Sequence, residues 1–214
     1  MLSCVALCVV ALATTASANF TANLFIDQVL NEMRFQVSQN ALDPFYVLPF
    51  DIKVKSNGIG NRDLKAIFSQ GTLTGLAMLG RRGDCSYGTF GLGMKLGCYI
   101  SLRPIGVSLN GIVKGDWIFG AMHSITTSTS LGADSYALIE VQGARGRQAV
   151  LDRVTVKPLT MNTFVTQGRL DLNKSRLDDF VKHIHAEITR QLDITLRGTY
   201  SSVLATVVSR HFMP

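Results

Sequence analysis

Between Phe90 and Leu102 every even-numbered residue is apolar: Phe90, Leu92, Met94, Leu96, Cys98, Ile100 and Leu102. Thr89, Gly91, Gly93, Lys95, Gly97, Tyr99, Ser101 and Arg103 fill the odd positions. Successive side chains of a strand point to opposite faces, so strict period two marks a strand with one apolar face. A run of this length would reach about 43 Å at about 3.3 Å per residue. That predicts a long, curved sheet. The three glycines Gly91, Gly93 and Gly97 on its polar face fit bending or the close approach of another segment. Such a face needs a second apolar surface to cover it.

The C-terminal region supplies one. Leu177, Phe180, Val181, Ile184, Ile188, Leu192, Thr195 and Leu196 form a single stripe at helical spacing. Ser175 with Asp178 three residues on reads as a capping-box start. Gly198 interrupts the pattern, and Tyr200, Val203, Leu204, Val207, Val208 and His211 continue it. Ser175 to Arg197 would be about 35 Å long at about 1.5 Å per residue, comparable to the strand. Near the other end, Leu24, Ile26, Val29, Leu30, Met33 and Val37 predict a helix over Thr21–Asn40, capped by Thr21 and ended by Asp43-Pro44.

Between the helices no helical period lasts. Strand-like segments run over Leu48–Lys55, Thr72–Leu79, Val107–Val113, Trp117–Thr126, Tyr136–Gln142, Val150–Lys157 and Phe164–Leu172, and Ser56-Asn57-Gly58 is a turn signal. Consecutive strands with short connections and no helix between them predict an antiparallel meander. The expected fold is α+β: a long curved antiparallel sheet wrapped around long C-terminal helices, with an N-terminal helix.

The first eighteen residues stand apart. Met1–Ala18 contains no Asp, Glu, Lys or Arg, and its apolar run Val5–Ala13 falls short of the roughly 20 residues that span a bilayer. It ends in Ala16-Ser17-Ala18, a small-x-small cleavage pattern, and reads as a secretory signal peptide. Residues 19–214 are then expected to form one secreted domain. Secretion makes a Cys85–Cys98 bridge the expected state of the two remaining cysteines. On one continuous strand, however, they would lie about 40 Å apart, against the roughly 6 Å a disulfide needs. The bridge requires a turn near Gly91–Gly93, which would cut the long strand; the bridge is the favoured expectation. The tripeptides Asn19-Phe20-Thr21 and Asn173-Lys174-Ser175 are glycosylation sequons, so Asn19 and Asn173 are candidate acceptors.

Enzyme signatures are absent from the sequence. There is no Gly-x-Ser-x-Gly and no Walker loop. His183 and His185 would project about 200° apart on a helix and cannot share a metal there. Gly88-x-x-Gly91-x-Gly93 does not open a helix, so no dipole faces an anion. The expectation is a non-enzymatic protein with no cofactor and no metal. The net charge is +6. Arg81, Arg82, Arg145, Arg147, Arg153, Arg169, Lys174 and Arg176 are spread along the chain and read as solvated surface. Converging at one rim, they would attract anionic lipid headgroups of a membrane surface at about 1 kcal/mol per charge. Basic residues are not interleaved with aromatics as in a nucleic-acid module, so nucleic acid is not an expected partner.

The apolar strand face leaves two readings open: a core packed on the C-terminal helix, or a groove between sheet and helix. Leu73-Thr74-Gly75-Leu76-Ala77-Met78-Leu79 followed by Arg82-Gly83-Asp84, and Leu170-Asp171-Leu172-Asn173-Lys174 leading into the helix, resemble the group 7 mite allergens and related secreted arthropod proteins. That family is similar to one half of the bactericidal/permeability-increasing proteins and to the juvenile-hormone and takeout carriers, which are lipid-binding folds. The resemblance implies an apolar groove and a hydrophobic small molecule or lipid as ligand. Met94, Leu96 and Ile100 on the strand, with Phe180, Ile184 and Ile188 on the helix, are then the expected lining. The alternative is an extracellular structural or interaction protein with a packed core and no ligand.

Overall fold

The computed structural model describes residues 2–57, 62–91, 93–115 and 121–214, with side chains described from Phe20 onward except that of Phe90. Helix α1 spans Leu2–Gln39, so Thr21 lies inside it rather than capping its start. Two short strands follow, β1 (Phe45–Val47) and β2 (Phe50–Val54), split by Leu48-Pro49. Pro49 lacks the N–H a continuous strand would need. Then come β3 (Leu64–Thr74), a 3₁₀ turn at Leu76–Met78, β4 (Gly80–Arg81), β5 (Ser86–Phe90) and β6 (Gly93–Ser101). The remaining strands are β7 (Gly106–Lys114), β8 (His123–Leu131), β9 (Tyr136–Gly143), β10 (Val150–Val156) and β11 (Met161–Gln167). Helix α2 covers Lys174–Thr195, a π-helical turn covers Leu196–Tyr200, and α3 covers Ser201–Val208.

The strands form two antiparallel sheets. One runs β1-β3-β7-β8-β11, with β2 also on β3; the other runs β4-β6-β9-β10, with β5 also on β6. The two orders match lane for lane: β3 continues into β4 and β5, β6 into β7, β8 into β9, and β10 into β11. The connections between halves lie side by side and hydrogen-bond to one another. Leu102 N donates to Ser135 O at 2.9 Å, Leu131 N to Ile105 O at 3.3 Å, Gly132 N to Thr160 O at 2.8 Å and Lys157 N to Tyr136 O at 3.1 Å. The expected long curved meander is therefore present as four lanes broken at a common seam. Pro104, with no N–H, and the tight passage of Gly75 mark the break. At Gly75 φ is +98°, and a Cβ there would sit 2.2 Å from the Pro104 carbonyl oxygen.

The continuous Phe90–Leu102 strand is not what forms. The chain turns after Phe90, with Gly91 at φ +58°, and β5 pairs back on β6 with Phe90 opposite Gly93. Leu92 lies outside the described residues. With Ser86 opposite Gly97, Cys85 faces Cys98, and the two are joined with their Cα atoms 4.4 Å apart. The conflict between strand and bridge resolves for the bridge, and period two survives on β6, where Leu96, Cys98 and Ile100 are buried. Three expected strands also shift. Thr72–Leu79 appears as β3, which starts at Leu64 and ends at Thr74; Trp117–Thr126 appears as β8, His123–Leu131, with residues 116–120 outside the described set; and Phe164–Leu172 appears as β11, which starts three residues earlier and ends five earlier.

The helices cover the inner faces of the two halves. Helix α2 packs on the half containing β2 and β3, while α1 and α3 pack together against β4, β5 and β10. One continuous apolar cluster joins them, from Ala22 on α1 to Val208 on α3. The π-helical turn between α2 and α3 contains Gly198 at φ −91°, ψ −107°, and this is the expected break in the stripe. The α2 cap is Asn173, whose Oδ1 accepts from Arg176 N at 3.1 Å, not Ser175. An Asx side chain reaching the third N–H of a helix is the stronger cap, and Ser175 falls inside the first turn.

Candidate ligand-binding cleft

Helix α2 is clamped at one sheet edge by Gln191. Its Oε1 accepts from Leu48 N at 2.7 Å and its Nε2 donates to Leu48 O at 3.0 Å. Both backbone groups freed by the Leu48-Pro49 break are thereby satisfied. At the opposite edge, His185 Nε2 meets Thr163 Oγ1 of β11 at 2.9 Å, and Thr163 Oγ1 meets Thr129 Oγ1 at 2.7 Å. Burial holds the His185 pKa below the usual imidazole value, which keeps the ring uncharged near neutral pH.

Ahead of His185 the sheet and helix part. Strand β11 is an edge strand whose register on β8 slips between Val165 and Gln167, and the chain then leaves the sheet at Gly168. The first turns of α2 face this departing edge. A cleft of about 410 Å³ opens between them, lined by Phe164, Val165, Leu170, Leu177, Phe180 and Val181, with Thr163, Gly168 and Arg169 completing the wall. The helix members are spaced three and four residues apart, so one face of α2 forms one wall. Thr127 stands opposite Val165 in the sheet, is fully buried, and its Oγ1 has no hydrogen-bond partner among the described residues. Apolar walls with a few polar groups are the usual make-up of a small-molecule site. A second cleft of about 500 Å³ lies at the other edge, lined by Tyr46, Leu48, Ser69, Gln70, Thr72 and Asn110 among others. Its surface is more polar in residue type and follows the β3 register slip between Phe68 and Gln70.

Of the six expected lining residues, Phe180 lines the α2–β11 cleft. Leu96 and Ile100 are buried on β6, in the other half of the sheet from α2, and Met94 packs half-buried against the core. Ile184 and Ile188 are buried further along α2. The sequence put strand and helix members in one groove because it could not show the seam that separates β6 from the α2-covered half. Leu177 and Val181, on the flank of the same stripe, were legible as stripe members but not as cleft members.

The basic residues also divide. Arg176, read from sequence as solvated, is buried. Position 176 lies four before Phe180 and so belongs to the inward stripe, which residue type alone conceals. Arg81 pairs with Asp27 of α1 at 3.0 Å, and Arg153 with Glu140 at 2.7 Å. Arg169 stays exposed at the cleft, and its carbonyl meets His123 Nε2 at 2.7 Å. His183 is exposed, whereas His185 turns to β11. Among the described residues no group of three or more His, Cys, Asp or Glu could hold a metal ion. No described helix is long and apolar enough to cross a membrane. Asn173, one candidate glycan acceptor, is exposed and its amide exchanges hydrogen bonds with that of Asn57; the Asn19 side chain is outside the described set.

No family model matches the chain, and no curated protein does. Among solved structures, Takeout 1 of Epiphyas postvittana is similar over 79% of this chain and 76% of that one, at 12% identity and a TM-score of 0.24.

Proposed function

We propose that this is a secreted, non-enzymatic binding protein for a hydrophobic or lipid-like ligand, held where β11 parts from the first turns of α2. The observation that carries the reading is the apolar cleft itself. At about 410 Å³ it falls within the roughly 300–1,000 Å³ typical of ligand sites. Its walls are aliphatic and aromatic, its polar groups are few, and the buried hydroxyl of Thr127, opposite the cleft-lining Val165 in the sheet, has no hydrogen-bond partner among the described residues. Export is supported by the Ala16-Ser17-Ala18 pattern and by the Cys85–Cys98 bridge, since disulfides persist in oxidising compartments. On that route Asn173 is a glycan acceptor, and glycosylation leaves the Oδ1 that caps α2 in place.

Protein purified from the medium of expressing cells and extracted with organic solvent is expected to release a co-purifying lipid, detectable by mass spectrometry. An empty extract, with no uptake of added fatty-acid probe, would leave the packed structural or interaction protein as the better account.

A further inference from the structure

The second cleft, at the β1 edge of the sheet, is built by two irregularities. Leu48-Pro49 parts β1 from β2, and the β3 register slips between Phe68 and Gln70, so that Ser69 and Gln70 are exposed one after the other. Alternation then resumes. Gly71 faces the core, where a Cβ would sit 2.6 Å from Leu109 Cδ2 and 2.8 Å from Val47 Cβ, so Gln70 and Thr72 on either side of it face outward. Residues directly opposite one another in a sheet share a face. Tyr46 stands opposite Thr72, Gln70 opposite Asn110, and Asn110 opposite Thr126, so all five project from the same outer face.

This floor sets an aromatic ring beside neutral hydrogen-bonding groups. Tyr46 is 73% exposed, and Leu48 beyond it is 61% exposed. Gln70 and Asn110 present planar amides, each both donor and acceptor, and Ser69 and Thr72 present hydroxyls that also do both. Thr126 Oγ1 donates to Asn110 Oδ1 at 2.9 Å, which holds that amide in place and leaves its Nδ2 as a donor. Among the described residues no charged side chain lines the cleft. Its volume of about 500 Å³ lies within the roughly 300–1,000 Å³ of ligand sites, and it shares no lining residue with the β11–α2 cleft.

An apolar chain laid here would strip water from the amides and hydroxyls and return no hydrogen bonds, and an anion would meet no cation. A ligand with one apolar face and a rim of neutral hydroxyls matches both parts of the floor. A pyranose ring is such a ligand: its C–H face packs on the electron-rich face of an aromatic ring, and each of its hydroxyls donates and accepts. Tyr46 on β1 and Asn110 on β7 are two strand spacings apart, about 10 Å at about 4.8 Å per strand, which suits two linked rings better than one. We infer that the outer face of β1, β3 and β7 carries a second binding site, for a neutral disaccharide. Tyr46 stacks on one sugar ring, and Gln70 and Asn110 hold hydroxyls of the other. The site goes beyond the hydrophobic-ligand reading and does not depend on it.

The test is saturation-transfer NMR of the purified protein with maltose, cellobiose, lactose and N,N′-diacetylchitobiose, with melting temperatures measured on the same samples. At least one disaccharide is expected to bind saturably. Tyr46→Ala is expected to weaken that binding about tenfold or more through loss of the stacked ring, and Tyr46→Phe to keep it within about twofold. Asn110→Ala is expected to weaken it about fivefold, the scale of one hydrogen bond. Both side chains are exposed, so the variants should melt within a few degrees of the wild type. Leu177→Trp, in the other cleft, should leave sugar binding unchanged, and Tyr46→Ala should leave fatty-acid uptake unchanged. Binding of none of the four disaccharides overturns the proposal. Binding that is unaffected by both Tyr46→Ala and Asn110→Ala places the sugar elsewhere and also overturns it. Binding that is lost in Leu177→Trp, or displaced by a fatty-acid probe, places the sugar in the β11–α2 cleft and overturns the second site.

Discussion

Phe180→Ala is expected to lower the unfolding free energy by about 3–5 kcal/mol, the usual cost of emptying a buried phenylalanine site. Its side chain is fully buried, and its ring is the last of a row in which Phe50 stacks on Phe68 at 5.0 Å and Phe68 faces Phe180 at 6.2 Å. That row ties α2 to β2 and β3. The neighbours are fixed in the sheet and cannot collapse into the space, so both the lost contacts and the residual cavity count. In a chain of 214 residues the loss corresponds to a melting temperature lower by about 6–20 °C. Phe164→Ala provides the contrast. That ring, also on the cleft wall, is 67% exposed on an edge strand, and its removal is expected to change stability by less than about 0.5 kcal/mol. Urea unfolding of both variants checks this. Equal effects would mean that α2 is not pinned to the sheet through Phe180.

Replacing both Cys85 and Cys98 by alanine is expected to cost about 3 kcal/mol, because the bridge closes a loop of about a dozen residues in the unfolded chain. The two cysteines are separated by 13 positions and are buried at the foot of the β5–β6 hairpin. An isolated hairpin is marginal in water, and among the described residues β5 pairs only with β6. The bridge fixes the register that sends Leu96 and Ile100 inward, where a slip of one residue would turn them to solvent. Thermal melting of the double variant should fall by about 6–12 °C. An unchanged melting temperature, in protein whose bridge was shown intact in the wild type, would contradict this account.

Much of the fold was legible because the chain writes it at short range. The strands at Val107–Val113 and Tyr136–Gln142 appear within a residue or two, since each alternates cleanly, and Val150–Lys157 appears within a residue despite a register shift between Leu151 and Arg153. The stripe from Phe180 to Leu192 and its break at Gly198 were equally plain. Segments whose pattern is broken by their own irregularity were not. Strand β3 begins at Leu64, eight residues before the expected Thr72, because the bulge near Ser69 and the glycine at 71 interrupt the alternation of Leu64, Ala66 and Phe68. The seam was hidden because its hydrogen bonds join residues far apart in sequence, such as Leu102 with Ser135 and Gly132 with Thr160. The site suffered most. A stripe position gives the same signal whether it faces core or cleft, so Phe180 could be chosen but Leu177 and Val181 could not be told from ordinary flanking residues. Arg176 is the sharper case: its inward position follows from the four-residue step to Phe180, yet a cation on an apolar stripe looks like the stripe's edge until the neighbouring strand is in place.

The central claim is that the space between β11 and α2 holds an apolar chain, and blocking that space tests it. Leu177 is 37% exposed on the cleft wall, so Leu177→Trp adds volume where the fold is open rather than in the packed core. Titration of a fluorescent fatty-acid probe into wild type and variant, with melting temperatures measured on the same samples, is the most direct measurement. The account predicts saturable uptake by the wild type, affinity at least about tenfold weaker in Leu177→Trp at 1.4 kcal/mol per factor of ten, and melting temperatures that agree within a few degrees. Uptake that is equal in the two proteins, or absent from the wild type, would contradict it.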